Sequence, residues 1–293
     1  MSQYIRYKKT NFRKKSQALI TTMDETMADY QKQGFTLTLR QLYYQLVARD
    51  VIANDEKSYN KIGNLCNDAR LAGMLPWDIE DRTRQFIDRN HWNDAGEILR
   101  QCAYRFHMDL WATQPARVFV VIEKDALRGV IEKTCRDYDV PLLSARGYPS
   151  ASVLQAFATG TYAQAKAAGQ EVVILHLGDH DPSGIDMTDD LQRRLSLFTG
   201  EDVPITRIGL TLEQVREINP PPNGAKEKDR RYPAYVERFG ITDCWELDAL
   251  SPQYLVALLD KHINKYIEPL ALNEMINKIK AVKGNLLEIA NMY

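Results

Sequence analysis

Long apolar runs are missing from this chain. No stretch approaches the roughly 20 unbroken apolar residues of a membrane span, although 44% of its 293 residues are hydrophobic. A soluble protein with no membrane partner is expected. The basic amino terminus is followed by no apolar signal core, so the cytoplasm is the expected location. Cysteine is scarce: Cys66, Cys102, Cys135 and Cys244 lie scattered without paired metal spacing. That spacing indicates neither a zinc module nor a disulfide framework and leaves buried thiols as the expectation. Glycine-rich phosphate loops of the Walker or Rossmann type are also absent, so no ATPase is visible. Length and apolar content together suit two domains with real cores.

Charge nearly balances, at a formal net of -1, but it is unevenly placed. Residues 1–23 carry Arg6, Lys8, Lys9, Arg13, Lys14 and Lys15 and not one acid. Such an arm suits a phosphate backbone, which makes Lys8, Lys9, Arg13, Lys14 and Lys15 candidate DNA contacts. Tyr4, Tyr7 and Phe12 lie among these cations, where aromatic rings can stack on bases. The plain alternative is a solvated terminal segment.

What the chain does have is an apolar run, Val172 to Leu177, that ends in Gly178-Asp179-His180-Asp181. A buried parallel strand reads this way, and its carboxyl end is where open α/β sheets place their chemistry. Asp179 and Asp181 would leave the loop close enough to share a hard divalent cation, with magnesium the first candidate. Pro182 and Gly184 then break the strand, and a helix is expected to start near Ile185. A second run, Val118 to Ile122, ends in Glu123 and Lys124. Two strands delivering carboxylates to one edge would concentrate more like charge than folding requires. Alternation points His180 away from its neighbours, and His176 reads as a satisfied core histidine. Asp186, Asp189 and Asp190 suit a helix start, with support of a metal from behind left open for Asp186. Glu246 and Asp248 read as a structural polar cluster. Lys226, Lys228, Arg230 and Arg231 read equally as solvated loop charge or as DNA contacts.

Helical periodicity covers 14–32, 39–50, 59–72 and 92–111, and a Pro-broken segment over 74–84 suits a small β wing. Three short helices followed by a wing describe a winged helix, with a helical bundle and an irregular loop as the alternative. After a linker at 113–117 the pattern becomes strands near 118–122, 140–144, 171–177 and 203–209, separated by helices near 125–138, 151–168 and 185–198. This is an α/β class with a mainly parallel sheet covered by helices. An exposed loop is expected from Pro220 to Arg231, then helices near 252–262 and 267–290. The domains are expected at 1–112 and 117–293.

In the second helix Leu39, Leu42, Tyr43, Leu46 and Val47 follow core spacing, while Arg40, Tyr44 and Ala48 fall on a neighbouring face. Tyr44 is therefore the candidate reactive tyrosine. Its hydroxyl, with an ordinary pKa near 10, is a poor nucleophile, and Arg40 within reach would favour the phenolate or brace a phosphate under attack. The ordinary reading of such a pair is a surface cation contact with a ring.

Four motifs then resemble, in order, those of the A subunit of type IIB topoisomerases (DNA topoisomerase VI) and of the meiotic double-strand-break transesterases built on it. They are Thr38-Leu39-Arg40-Gln41-Leu42-Tyr43-Tyr44, Val121-Ile122-Glu123-Lys124-Asp125-Ala126, Ala145-Arg146-Gly147-Tyr148-Pro149, and Gly178-Asp179-His180-Asp181-Pro182-Ser183-Gly184-Ile185-Asp186. The resemblance spans residues 38–186 and is loose over the last hundred. It implies a winged helix bearing the catalytic tyrosine, joined to a Toprim domain, in a compact stand-alone relative of the bacterial or phage kind. Tyr44 would be the nucleophile and Arg40 its helper. Glu123, Asp179 and Asp181 would hold magnesium, with manganese able to substitute, or Glu123 would act as general acid. The substrate implied is double-stranded DNA, cut by a homodimer in which each tyrosine serves the other protomer's metal site. Strand passage in that family needs a separate ATPase subunit, which would be a further partner. Three rivals stay open: a Toprim nuclease using metal-activated water, an inactive DNA-binding regulator, and a small-molecule phosphohydrolase.

Overall fold

The structure, a computed structural model, describes residues 4–77 and 91–293. It opens with α1 (Lys14–Lys32), α2 (Leu39–Ala48) and α3 (Glu56–Leu71). Local chemistry fixes the starts of two of them. Thr38 and Gln41 form a reciprocal capping box on α2, and Asp55 accepts from the Ser58 amide at the start of α3. Ile20, Met23 and Met27 of α1, Leu42 and Leu46 of α2, and Ile62 and Cys66 of α3 share one buried core. From Asp78 onward the expected wing lies outside the described residues. Next comes α4 (Ala95–Arg105), which Phe106 ends by turning extended, so it is shorter than the expected 92–111.

An α/β portion follows, comprising β1 (Ala116–Ile122), α5 (Arg128–Asp137), β2 (Leu142–Ser144), α6 (Ala151–Phe157), α7 (Ala163–Ala167), β3 (Glu171–Leu177), α8 (Pro182–Thr199) and β4 (Ile205–Gly209). The strands form one all-parallel sheet in the order β2-β1-β3-β4. Alternate residues feed two cores. Val118, Val120 and Ile122 of β1 with Val173, Leu175 and Leu177 of β3 face one, while Phe119, Val121 and Ile174 face the other. Both faces of the central strands are thus covered, which is why those strands read as unbroken apolar runs. A turn through Asp139, which accepts positive φ (55°), delays β2 to residue 142, two residues later than expected.

The chain closes with α9 (Leu212–Ile218), α10 (Tyr232–Phe239), α11 (Pro252–Ile263) and α12 (Pro269–Ala290). Helix α4 packs along α12, so the long closing helix ties the front of the chain to its end. Among the described residues no helix is long and apolar enough to cross a membrane. Three of the cysteines are buried as expected, but Cys102 is exposed because it sits on the outer side of α4.

Candidate active site

Parallel register brings the acids together. Ile122 pairs with Leu177, so β1 and β3 end level and the Glu123 amide donates to the Leu177 carbonyl at 2.9 Å. One residue further, the Asp179 amide donates to Glu123 Oε2 at 2.9 Å. The crossing is tight: a Cβ on Gly178 would meet Glu123 Oε2 at 2.9 Å, and one on Gly184 would meet the Asp179 carbonyl at 2.2 Å. Only glycine lets the loop fold back this closely. Beneath it the buried guanidinium of Arg207, from β4, donates to the carbonyls of Gly178 (2.8 Å), Asp179 (2.5 Å), Gly184 (3.0 Å) and Leu210 (3.2 Å). Burial lowers its pKa to about 10 against the pull of Glu123 and Asp179, so it stays charged at neutral pH. Nothing in the sequence singles Arg207 out, since its partners are backbone atoms of residues distant in the chain.

Every oxygen of the two aspartates has a partner. Asp179 Oδ1 accepts from the Leu247 amide at 2.8 Å and Oδ2 pairs with Lys124 Nζ at 2.9 Å. Asp181 Oδ1 accepts from the Gly184 amide at 2.6 Å, capping α8, and Oδ2 pairs with Lys226. This cap starts α8 at Pro182, three residues before the expected Ile185. Burial, then the charge of Asp179 and that of Asp181, push the Glu123 carboxyl up to about 7. Burial also raises Asp179 in spite of Lys124. For Asp181 burial is outweighed by Lys226 and the Gly184 amide, and its pKa falls.

As these side chains stand, no three His, Cys, Asp or Glu among the described residues enclose a cation. Their chemistry nonetheless fits one. The donors are all hard oxygens, two ammonium groups already stand against Asp179 and Asp181, and Glu123 is raised first by burial and then by the charges of Asp179 and Asp181, which a cation would relieve.

Tyr44 meets this cluster within the same chain. Its hydroxyl donates to Glu246 Oε2 at 2.6 Å, and the same oxygen accepts from Arg40 Nη2 at 2.7 Å and Lys124 Nζ at 2.9 Å. Arg40 Nε also pairs with Asp248 Oδ2 at 3.0 Å. Lys124 therefore bridges the tyrosine's partner and Asp179, so what the resemblance implied between protomers is adjacent inside one. Burial and Glu246 push the Tyr44 phenol up to about 12 against Arg40. Burial would raise Glu246, but Lys124, the Tyr44 hydrogen bond and Arg40 hold it down at about 2. Asp248 is raised to about 6 by burial despite both cations. Tyr44 is only 6% exposed, yet it lines a cavity of about 310 Å³ with Arg40, Tyr43, Asn54, Tyr59 and Glu246.

Glu246 and Asp248, expected as a structural cluster, thus stand between the tyrosine and the sheet-edge acids. The signal was an acid-x-acid spacing like that of Asp179 and Asp181, with the buried Leu247 between them. His180 turns away, bonding Tyr235 through Nδ1 at 2.8 Å amid Phe239 and Trp245. His176 bonds Thr188 at 2.9 Å inside the core. Asp186 pairs with Arg231 at 3.0 Å and with Tyr148, and Asp189 pairs with Arg238 at 2.9 Å, so neither joins the cluster. Lys226 reaches Asp181, whereas Lys228 and Arg230 are exposed. Lys8, Lys9, Arg13, Lys14 and Lys15 are all exposed, the last two opening α1. Comparison with family models, curated proteins and solved structures returns no match.

Proposed function

We propose that this chain cuts double-stranded DNA by tyrosine transesterification in the manner of a topoisomerase VI A subunit, with the front helices acting as a winged helix and the α/β portion as a Toprim domain. The supporting observation is the contact chain Tyr44–Glu246–Lys124–Asp179, which puts a phenol beside a cluster of buried acids. In the reaction Tyr44 Oη forms a bond to a phosphodiester phosphorus and the bond from phosphorus to the 3′ oxygen breaks. The phenolic proton passes to solvent through the cavity, and the 3′ oxygen gains a proton.

Arg40 braces the phosphate from the tyrosine's side. Glu123, Asp179 and Asp181 would hold magnesium or manganese, which when bound neutralises charge on the phosphate and the leaving oxygen. Glu123, titrating near neutrality, is alternatively the acid that protonates the 3′ oxygen. The exposed Lys8, Lys9, Arg13, Lys14 and Lys15 suit the flanking duplex. Two cuts on opposite strands call for a homodimer. Strand passage would add a separate ATPase partner, and the cytoplasm is the proposed location. Hydrolysis by metal-activated water is the second reading, favoured by the strong retention of the Tyr44 proton.

Supercoiled plasmid incubated with the protein and magnesium or manganese, stopped with detergent and run with and without protease, tests the proposal. Linear DNA released only by protease, and lost in both Tyr44→Phe and Asp179→Ala, is expected. Undiminished cutting by Tyr44→Phe beside a dead Asp179→Ala would establish hydrolysis.

A further inference from the structure

Glu246 Oε2 is the focus of three donors from three side chains: Tyr44 Oη at 2.6 Å, Arg40 Nη2 at 2.7 Å and Lys124 Nζ at 2.9 Å. Two of the donors are cationic and the third is the candidate nucleophile. We propose that Arg40 and Lys124 form a phosphodiester subsite beside Tyr44, which the carboxylate of Glu246 fills while DNA is absent. The inference rests on the DNA-cleaving reading and names the group that the substrate must displace.

Two cations converging on one oxygen suit a phosphoryl oxygen as well as a carboxylate one. A non-bridging phosphoryl oxygen in place of Oε2 would stand at hydrogen-bond distance from the attacking hydroxyl, which holds the phosphorus one bond further on beside the nucleophile. The cations are also held from behind. Arg40 Nε keeps Asp248 Oδ2 at 3.0 Å and Lys124 keeps Asp179 Oδ2 at 2.9 Å, so neither depends on Glu246 alone. The side chains of Asp248 and Asp179 are 0% and 6% exposed, whereas that of Glu246 is 14% exposed and lines the cavity. Glu246 is therefore the exchangeable member. Asp248 Oδ2 has Arg40 Nε at 3.0 Å and Lys124 Nζ at 3.8 Å without hydrogen-bond alignment to either, so charge ties it to both cations. While Glu246 is in place the phenol keeps its proton, because the carboxylic acid it faces is much the stronger acid.

The test is equilibrium binding of a fluorescent duplex in EDTA, measured across a salt series in a Tyr44→Phe background that cannot cut. Glu246→Ala should bind roughly tenfold more tightly, and its plot of log affinity against log salt should steepen by about 1, because one carboxylate charge is withdrawn from a pair of cations that keep only Asp248 and Asp179 as partners. Glu246→Gln carries the same prediction should the alanine variant fold poorly. The steepening should vanish in Arg40→Gln/Lys124→Gln. A uniform gain at every salt with unchanged slope, or steepening that survives loss of both cations, would overturn the subsite while leaving the DNA reading intact. Failure of the Tyr44→Phe parent to bind duplex at any salt would overturn both.

Discussion

Glu123 shows what one buried carboxyl does to the stability of its neighbourhood. Burial and the charges of Asp179 and Asp181 raise it from an ordinary 4.5 to about 7, so folding favours its protonated form. That contribution is complete below pH 4.5 and is lost as the pH rises through 7. In chelator, Glu123→Gln, which mimics the protonated acid, should raise Tm by several degrees at about pH 8.5 and change it little at about pH 4.5. Differential scanning calorimetry at the two pH values checks the sign. Gly184 is the opposite case, set by space instead of charge. Its missing Cβ would lie 2.2 Å from the Asp179 carbonyl, so Gly184→Ala must push the acid loop off Arg207. A loss of about 1–3 kcal/mol in denaturant unfolding is expected. At this scale Glu123, Asp179 and Asp181 were legible because apolar strands end on them. Arg207 was not, since no pattern in a sequence reports which carbonyls a guanidinium will find.

Among the elements, α8 carries two demands on one residue. Asp181 caps the helix through Oδ1 and holds Lys226 through Oδ2. Asp181→Ala should cost about 0.5–2 kcal/mol by loss of the cap. Asp181→Asn should keep the cap, lose the pairing with Lys226 and so cost less stability than Asp181→Ala, while abolishing cleavage, because an amide neither holds Lys226 nor binds a cation well. Thermal unfolding and plasmid cutting, run on both variants, separate the two demands. The helix start was misplaced in the sequence because Asp181 read as a ligand alone, although Pro182 at the first helical turn is equally the mark of a cap just before it. Strands β1 and β3 were legible almost to the residue, since burial on both faces leaves an unbroken apolar run. The division of 151–168 into α6, a π turn and α7 was not, because alanine, glutamine and lysine suit any helical turn equally well.

Across the whole molecule, the proposed cleavage depends on a meeting between portions up to about 200 residues apart in the chain: Arg40 and Tyr44 on α2, Lys124 after β1, and Glu246 and Asp248 in the turn before α11. The sequence held the pieces, a tyrosine four residues after an arginine and two acid-x-acid spacings, but not their proximity, which the packing of the front helices against the turn before α11 decides. The most direct measurement uses duplex DNA carrying ³²P at its internal phosphates, cleaved in the presence of magnesium, quenched with detergent, and digested with nuclease and then protease. The expected result is one labelled peptide, with the phosphate on Tyr44 and none in Tyr44→Phe. Free 5′ phosphate ends with no label on any peptide, from protein that cuts efficiently, would contradict it.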